Sequence, residues 1–212
     1  MIDKIAYHTI DDSHMEIVNS LSIAINTNIY NFLKSDKLYI KPEEIKKVLN
    51  FKYYTGPVIN SASLEKLSKY VTNKLKQYGL SGIVLNIKYG KVNNAINLLK
   101  NGRMMVFKIP YKKYMAKKNN SIYSEISLAV GHWFPVCYYN GFFMEINPNI
   151  FINKNLGIKD FLSESKHNCS YSDDDLFELF ENDMNGSIIK ISIIDKNKAP
   201  IKSLNEYGEE YA

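Results

Sequence analysis

The sequence predicts an α+β protein in which helices come first and a mostly antiparallel sheet follows. Three observations predict it. A wide apolar stripe begins at Met15 and continues at helical spacing through Val18, Leu21, Ile25 and Ile29. Short β-branched runs, such as Ile83 to Ile87, Met104 to Ile109 and Ile188 to Ile194, gather in the second half of the chain. Between two aromatic-rich runs stands Asn140-Gly141, a dipeptide that tolerates positive φ at both central positions of a type I′ turn.

The elements follow in order. Residues Met1 to Asp12 read as a short extended segment or loop holding His8. Asp11, Asp12 and Ser13 offer caps for the first helix, whose stripe also takes in Ile17, Ile23 and Ala24, so it is expected to be buried on most sides. Leu38 to Ile40 is a short strand or loop, and Pro42 with Glu43 and Glu44 opens a second helix. Leu64, Leu67, Tyr70, Val71, Leu75 and Tyr78 form a third amphipathic helix, stopped by Gly79. A strand over 82–89, a helix from Val92 to Leu99 stopped by Gly102, and a strand over 104–109 ended by Pro110 come next. Beyond Pro148, helices are expected over 158–163 and 173–181, the second with three aspartates at its start, where the helix dipole favours them. Residues 1–195 are read as one domain and 196–212 as a polar tail.

The stretch Gly131 to Pro148 carries the chemistry. A two-residue turn at Asn140-Gly141 sets Asn147 opposite Phe134 and Asn149 opposite His132. His132, Phe134, Val136 and Tyr138 then share a face with Phe143, Glu145, Asn147 and Asn149. The opposite face, Trp133, Pro135, Cys137, Tyr139, Phe142, Met144 and Ile146, is apolar enough to be core, which leaves His132 and Asn147 on a mixed face. An imidazole with an amide at the same end of a hairpin is half of a thiol-enzyme triad; the bland alternative is that both residues merely end strands. Pro135 falls where the ladder needs a donor, so either the strand bulges or the turn is longer. A slip of one residue would send His132 and Asn147 to opposite faces.

Composition narrows the classes. With 212 residues and 45% hydrophobic content the chain suits one domain with a real core. No run approaches the roughly 18 apolar residues that cross a bilayer, and Met1-Ile2-Asp3-Lys4-Ile5 does not read as a signal peptide, so the cytoplasm is expected. Two cysteines and four histidines lack metal-site spacing, so no metal or cofactor is expected. No nucleic-acid motif accompanies the net charge of +5. Lys112, Lys113, Lys117 and Lys118 form the one basic cluster, a docking patch for an acidic partner or simply a solvated loop.

A buried first helix, two middle helices, Leu98-Leu99-Lys100-Asn101-Gly102-Arg103-Met104-Met105-Val106 leading from helix through glycine to strand, then Gly131-His132 and Asn147-Pro148: this order resembles the papain-like superfamily. Within it, the bacteriocin-processing peptidases and the butirosin-type acyltransferases are the nearest likeness, over roughly residues 8 to 150. The resemblance implies a nucleophile at the start of the first helix, His132 as base, and Asn147 as its orienting partner. It also implies a donor to the oxyanion just upstream, where His8 stands. The family's nucleophile is a cysteine, and here Ser13 is the better positional match, with Glu16 nearby.

Ser13 is a native hydroxyl nucleophile, a replacement for cysteine, or the mark of a dead site. A serine hydroxyl is harder to activate than a thiol. Cys137 lies on the core face, and Cys169, with His167, in a polar loop. His14, next to the nucleophile position, would point about 100° away. Three functions follow as expectations. The first is acyl transfer from a thioester or amide donor, on an acidic carrier protein docked at the lysines. The second is peptide cleavage, and the third a binding module that has kept the cleft. The oligomeric state is left open.

Overall fold

The computed structural model describes residues 2–10, 15–51, 59–110, 131–150, 153–160, 170–180 and 187–198. Its strands are β1 (Lys4–His8), β2 (Ile83–Tyr89), β3 (Met105–Pro110), β4 (Gly131–Tyr139), β5 (Phe142–Glu145), β6 (Asn153–Gly157), β7 (Ser170–Tyr171) and β8 (Ile188–Asp195). Its helices are α1 (Glu16–Leu33), α2 (Pro42–Val48), α3 (Ser61–Gln77), α4 (Val92–Lys100) and α5 (Asp173–Phe180). Six strands form one sheet in the order β2-β8-β3-β4-β5-β7, each neighbouring pair antiparallel, while β1 and β6 form a separate two-stranded ribbon. The protein is therefore α+β with an antiparallel sheet.

Residues alternate across the sheet and both faces are covered. Val106, Cys137, Ile189, Ile191 and Ile193 join a core with α1, α2 and α3. Phe107, Ile109, Phe134, Val136, Phe143 and Tyr171 join a second core with Val92, Ala95 and Leu99 of α4 and Leu176 and Phe180 of α5. The face that carries His132 is thus itself core, where the sequence pattern suggested a mixed surface. Each fully buried side chain of this size contributes about 1.5–3 kcal/mol, so both cores are substantial.

Helix α1 is buried without a break from Ile17 to Ile29. The apolar stripe explains only part of that. Asn19, Asn26 and Asn28 each clasp one backbone residue, taking its N–H with Oδ1 and giving Nδ2–H to its carbonyl: Ile10, Ile40 and Met104 respectively. Thr27 accepts from the N–H of Ala6, and Asn31 spans Asp3 N–H and Lys4 carbonyl. A buried amide is tolerated when its donors and acceptors are paired, so these side chains act as brackets that tie α1 to β1 and to the backbone at Ile10, Ile40 and Met104.

Helix α1 begins without a capping side chain at its first position. Its N-cap is Met15, with no side-chain cap, and Asp11, Asp12 and Ser13 lie outside the described residues. Helix α3 begins two residues earlier than Ser63 because Asn60 and Ser63 form a reciprocal capping box. The segment over 38–40 is a loop, held by the Asn26 bracket. Of the helix expected over 158–163, residues 158–160 are helical and the rest lies outside the described residues, as do residues 199–212 of the tail.

The hairpin register is the predicted one. Val136 pairs with Glu145, Cys137 with Met144, and Tyr139 with Phe142, around Asn140 and Gly141 at φ 49° and 89°. Pro135 neither bulges the strand nor lengthens the turn. Its carbonyl still accepts from Ile146 N–H at 2.9 Å. Lacking the return donor, it ends the ladder there, and β5 stops at Glu145.

Candidate functional site

The end of that ladder makes the site. Alternation directs the N–H and carbonyl of Trp133, like the carbonyl of Pro135, away from β3 and toward the chain that follows β5. No strand pairs there, and the first turns of α1 supply the missing partners. Glu16 Oε2 accepts the Trp133 N–H at 2.9 Å, Ser20 Oγ donates to the Trp133 carbonyl at 3.1 Å, and Asn19 Nδ2 donates to the Pro148 carbonyl at 3.1 Å. The amino end of α1 is wedged into the split between β4 and the 147–150 segment.

His132 stands in this split. Its Nδ1 lies 2.5 Å from Glu16 Oε1 and its Nε2 3.3 Å from Glu145 Oε1. Glu145 is buried, and its other oxygen accepts from the Tyr171 hydroxyl at 2.8 Å. Asn149 Nδ2 donates to Glu16 Oε1 at 3.1 Å. The imidazole also leans on the Phe134 ring, with centroids 5.1 Å apart.

Burial of the imidazole pushes its pKa down, but the hydrogen bonds to Glu145 and Glu16, together with their charges, reverse that and raise it to about 9. The balance is reasonable. A unit charge 4 Å away is worth about 4 kcal/mol at an effective dielectric of about 20, and two carboxylates together exceed the several kcal/mol that burial exacts. At neutral pH His132 is an imidazolium that donates from both nitrogens. It has no lone pair with which to take a proton from a nucleophile.

The sequence-predicted residues divide three ways. His132 and Glu16 are brought together at the amino end of α1. Asn147 is not the residue that orients the ring: its Oδ1 accepts from Asn149 N–H at 2.9 Å, closing a tight turn, and its carbonyl accepts from the Tyr7 hydroxyl. Glu145 holds the orienting place instead. The reason is Pro135, which ends the ladder before Asn147 can face the strand.

His8 ends β1 opposite Asn153, its ring stacked on Tyr39 at 4.6 Å. Burial lowers its pKa, opposed by a side-chain hydrogen bond to Asn155. Those partners are on the ribbon and the 38–40 loop, and none of them belongs to the His132 network. Ser13, His14, Lys112, Lys113, Lys117, Lys118, His167 and Cys169 all lie outside the described residues. Cys137 is fully buried on the core face, and burial pushes its thiol up to about 12, which makes it inert.

The sequence places Glu145 and Asn149 on the His132 face but assigns neither a role, and nothing in it singles out Tyr171. Glu145 had a signal. A carboxylate inside Phe-Phe-Met-Glu-Ile, on the His132 face, is costly to bury unless a cation meets it. The two carboxylates approach opposite nitrogens of one ring and do not converge, and among the described residues no group of His, Cys, Asp and Glu could hold a metal ion. No helix among them is long and apolar enough to cross a membrane.

No protein-family model matches the chain. A comparison with curated proteins likewise finds no match.

Proposed function

We propose that the chain is a binding module built on a papain-like acyl-transfer fold, with the nucleophile's place taken by the Glu16 carboxylate. One observation carries this reading: Glu16 Oε1 sits 2.5 Å from His132 Nδ1. Helix amino end, histidine at the start of a strand and an orienting partner in the chain that follows the turn is the order the resemblance implies, with Glu16 in place of a thiol and Glu145 in place of Asn147. A carboxylate pressed on the imidazole keeps it charged and closes the position from which a base would act. The ligand is an acyl or peptidyl group, on a carrier or partner that the lysines over 112–118 would meet.

The test is covalent capture. The protein and its Ser13→Cys variant are incubated with short-chain and long-chain acyl thioesters and read by intact-mass spectrometry. Neither is expected to gain an acyl group. An adduct on the unaltered protein that disappears in Ser13→Ala overturns the reading.

A second reading has one observation in its favour: His132 touches Glu16, three positions after Ser13 in the sequence. There, Ser13 attacks a thioester or amide carbonyl, its proton passes to His132 and then to the leaving thiol or amine, and an incoming amine or water resolves the acyl-enzyme. Glu16 must first swing away with the Nδ1 proton, so that the neutral ring has a lone pair to accept the proton of Ser13. The same masses decide between the two readings.

A further inference from the structure

Three donors from two segments converge on one carboxylate. Glu16 Oε1 accepts from His132 Nδ1 and from Asn149 Nδ2, and Oε2 accepts from the Trp133 N–H. From the donors' side this is an oxyanion cradle: one full positive charge, one backbone N–H left unpaired by the end of the ladder, and one carboxamide. We infer that the cradle is a binding site for a ligand carboxylate and that Glu16 is its built-in occupant, which a ligand displaces.

The two carboxylates on His132 are not equivalent. The side chain of Glu145 is 2% exposed, sealed by Tyr171, whereas that of Glu16 is 20% exposed and its partner Asn149 lies at the surface. An anion at the Glu16 position can exchange with solvent, and one at the Glu145 position cannot.

The frame does not depend on Glu16 either. Ser20 holds the Trp133 carbonyl and Asn19 holds Ile10 and the Pro148 carbonyl, so the same two walls stay fixed when the carboxylate leaves. A ligand arriving from the Asn149 side would place its carboxylate on the three donors while Glu16 swings to water. This rests on the binding-module reading and names its ligand class.

The experiment follows the His132 ring signals by NMR in the unaltered protein and in Glu16→Ala during titration with acetate, N-acetyl-dialanine, its C-terminal amide, and chloride. Acetate and the free-acid peptide are expected to shift the ring signals saturably, at least tenfold more tightly in Glu16→Ala, with the amide silent. Acetate without the peptide identifies a free small acid as the ligand source, and tighter peptide binding identifies a chain terminus. No saturable shift in a folded Glu16→Ala protein, or an equal response to chloride, overturns the inference. If Glu16→Ala does not fold, the unaltered protein carries the test: acetate must shift the ring at higher concentration and Asn149→Ala must weaken that response. Absence of either effect overturns it. Acylation of Ser13 in the mass experiment would sink the module reading separately, because it needs no carboxylate binding.

Discussion

His132 shows how little of a residue's chemistry is fixed by its type. The same imidazole is a base when one nitrogen is open and a structural cation when a carboxylate faces each nitrogen. Its folded pKa of about 9 stands above the ordinary 6.5. The stabilisation that follows, on the order of 3 kcal/mol, is fully present below the unfolded value and lost as pH rises through about 9. Urea unfolding should therefore show stability falling by most of that amount between pH 6 and pH 9.5, and falling less in Glu16→Gln; equal slopes in the two proteins would contradict the account. Cys137 gives a second prediction at this scale. With its thiol buried and pushed up to about 12, it should resist a thiol-directed reagent at pH 8 until denaturant is added. Peptide mapping after labelling reads this directly. From the sequence, His132 and Glu16 could be chosen because both stand where an element begins. Glu145 leaves only a partial signal, an acid in an apolar strand on the His132 face, because the Tyr171 hydroxyl that completes its pairing comes from a two-residue strand with no local pattern.

At the scale of elements, α1 was legible as a buried helix and illegible as a hub. Apolar spacing reports burial, but nothing local says that Asn19, Asn26 and Asn28 will each hold a distant backbone residue. Asn28→Ala should leave the Met104 N–H and carbonyl unpaired in a buried site, at a cost of about 2–4 kcal/mol by chemical denaturation. A loss below 0.5 kcal/mol, by the same order-of-magnitude rule, would mean that water replaces the bracket. The hairpin was legible in full register, since Asn140-Gly141 demands one turn and alternation does the rest. Gly141 sits at φ 89° with open space where a Cβ would be, so Gly141→Ala should cost about 1–2 kcal/mol through backbone strain alone. Pro135 is a misfit legible in the sequence, but neither the bulge nor the longer turn expected of it forms. A missing donor at the inner end of a hairpin needs no bulge if the ladder simply stops, and here the stop is what admits α1 to the sheet edge.

For the whole molecule, class and order were readable, but the long-range pairings were not. Strand β8 was evident as a strand, yet its place between β2 and β3 is a pairing between segments far apart in the chain that no local signal encodes. The β1–β6 ribbon escaped for the same reason, and because Asn153–Gly157 lacks β-branched residues. The outer edge of β2 is not left open. Ser68 and Thr72 of α3 bond the N–H and carbonyl of Ile87 and Leu85, which denies that edge to another chain.

All of these pieces converge on the charge state of one ring, and proton-detected nitrogen NMR of His132 at pH 7 measures it most directly. The account predicts an imidazolium with both nitrogens protonated and a titration midpoint near 9 that drops when Glu16 is replaced by Gln. A neutral ring with a single tautomer at pH 7, titrating at or below 6.5, would contradict it.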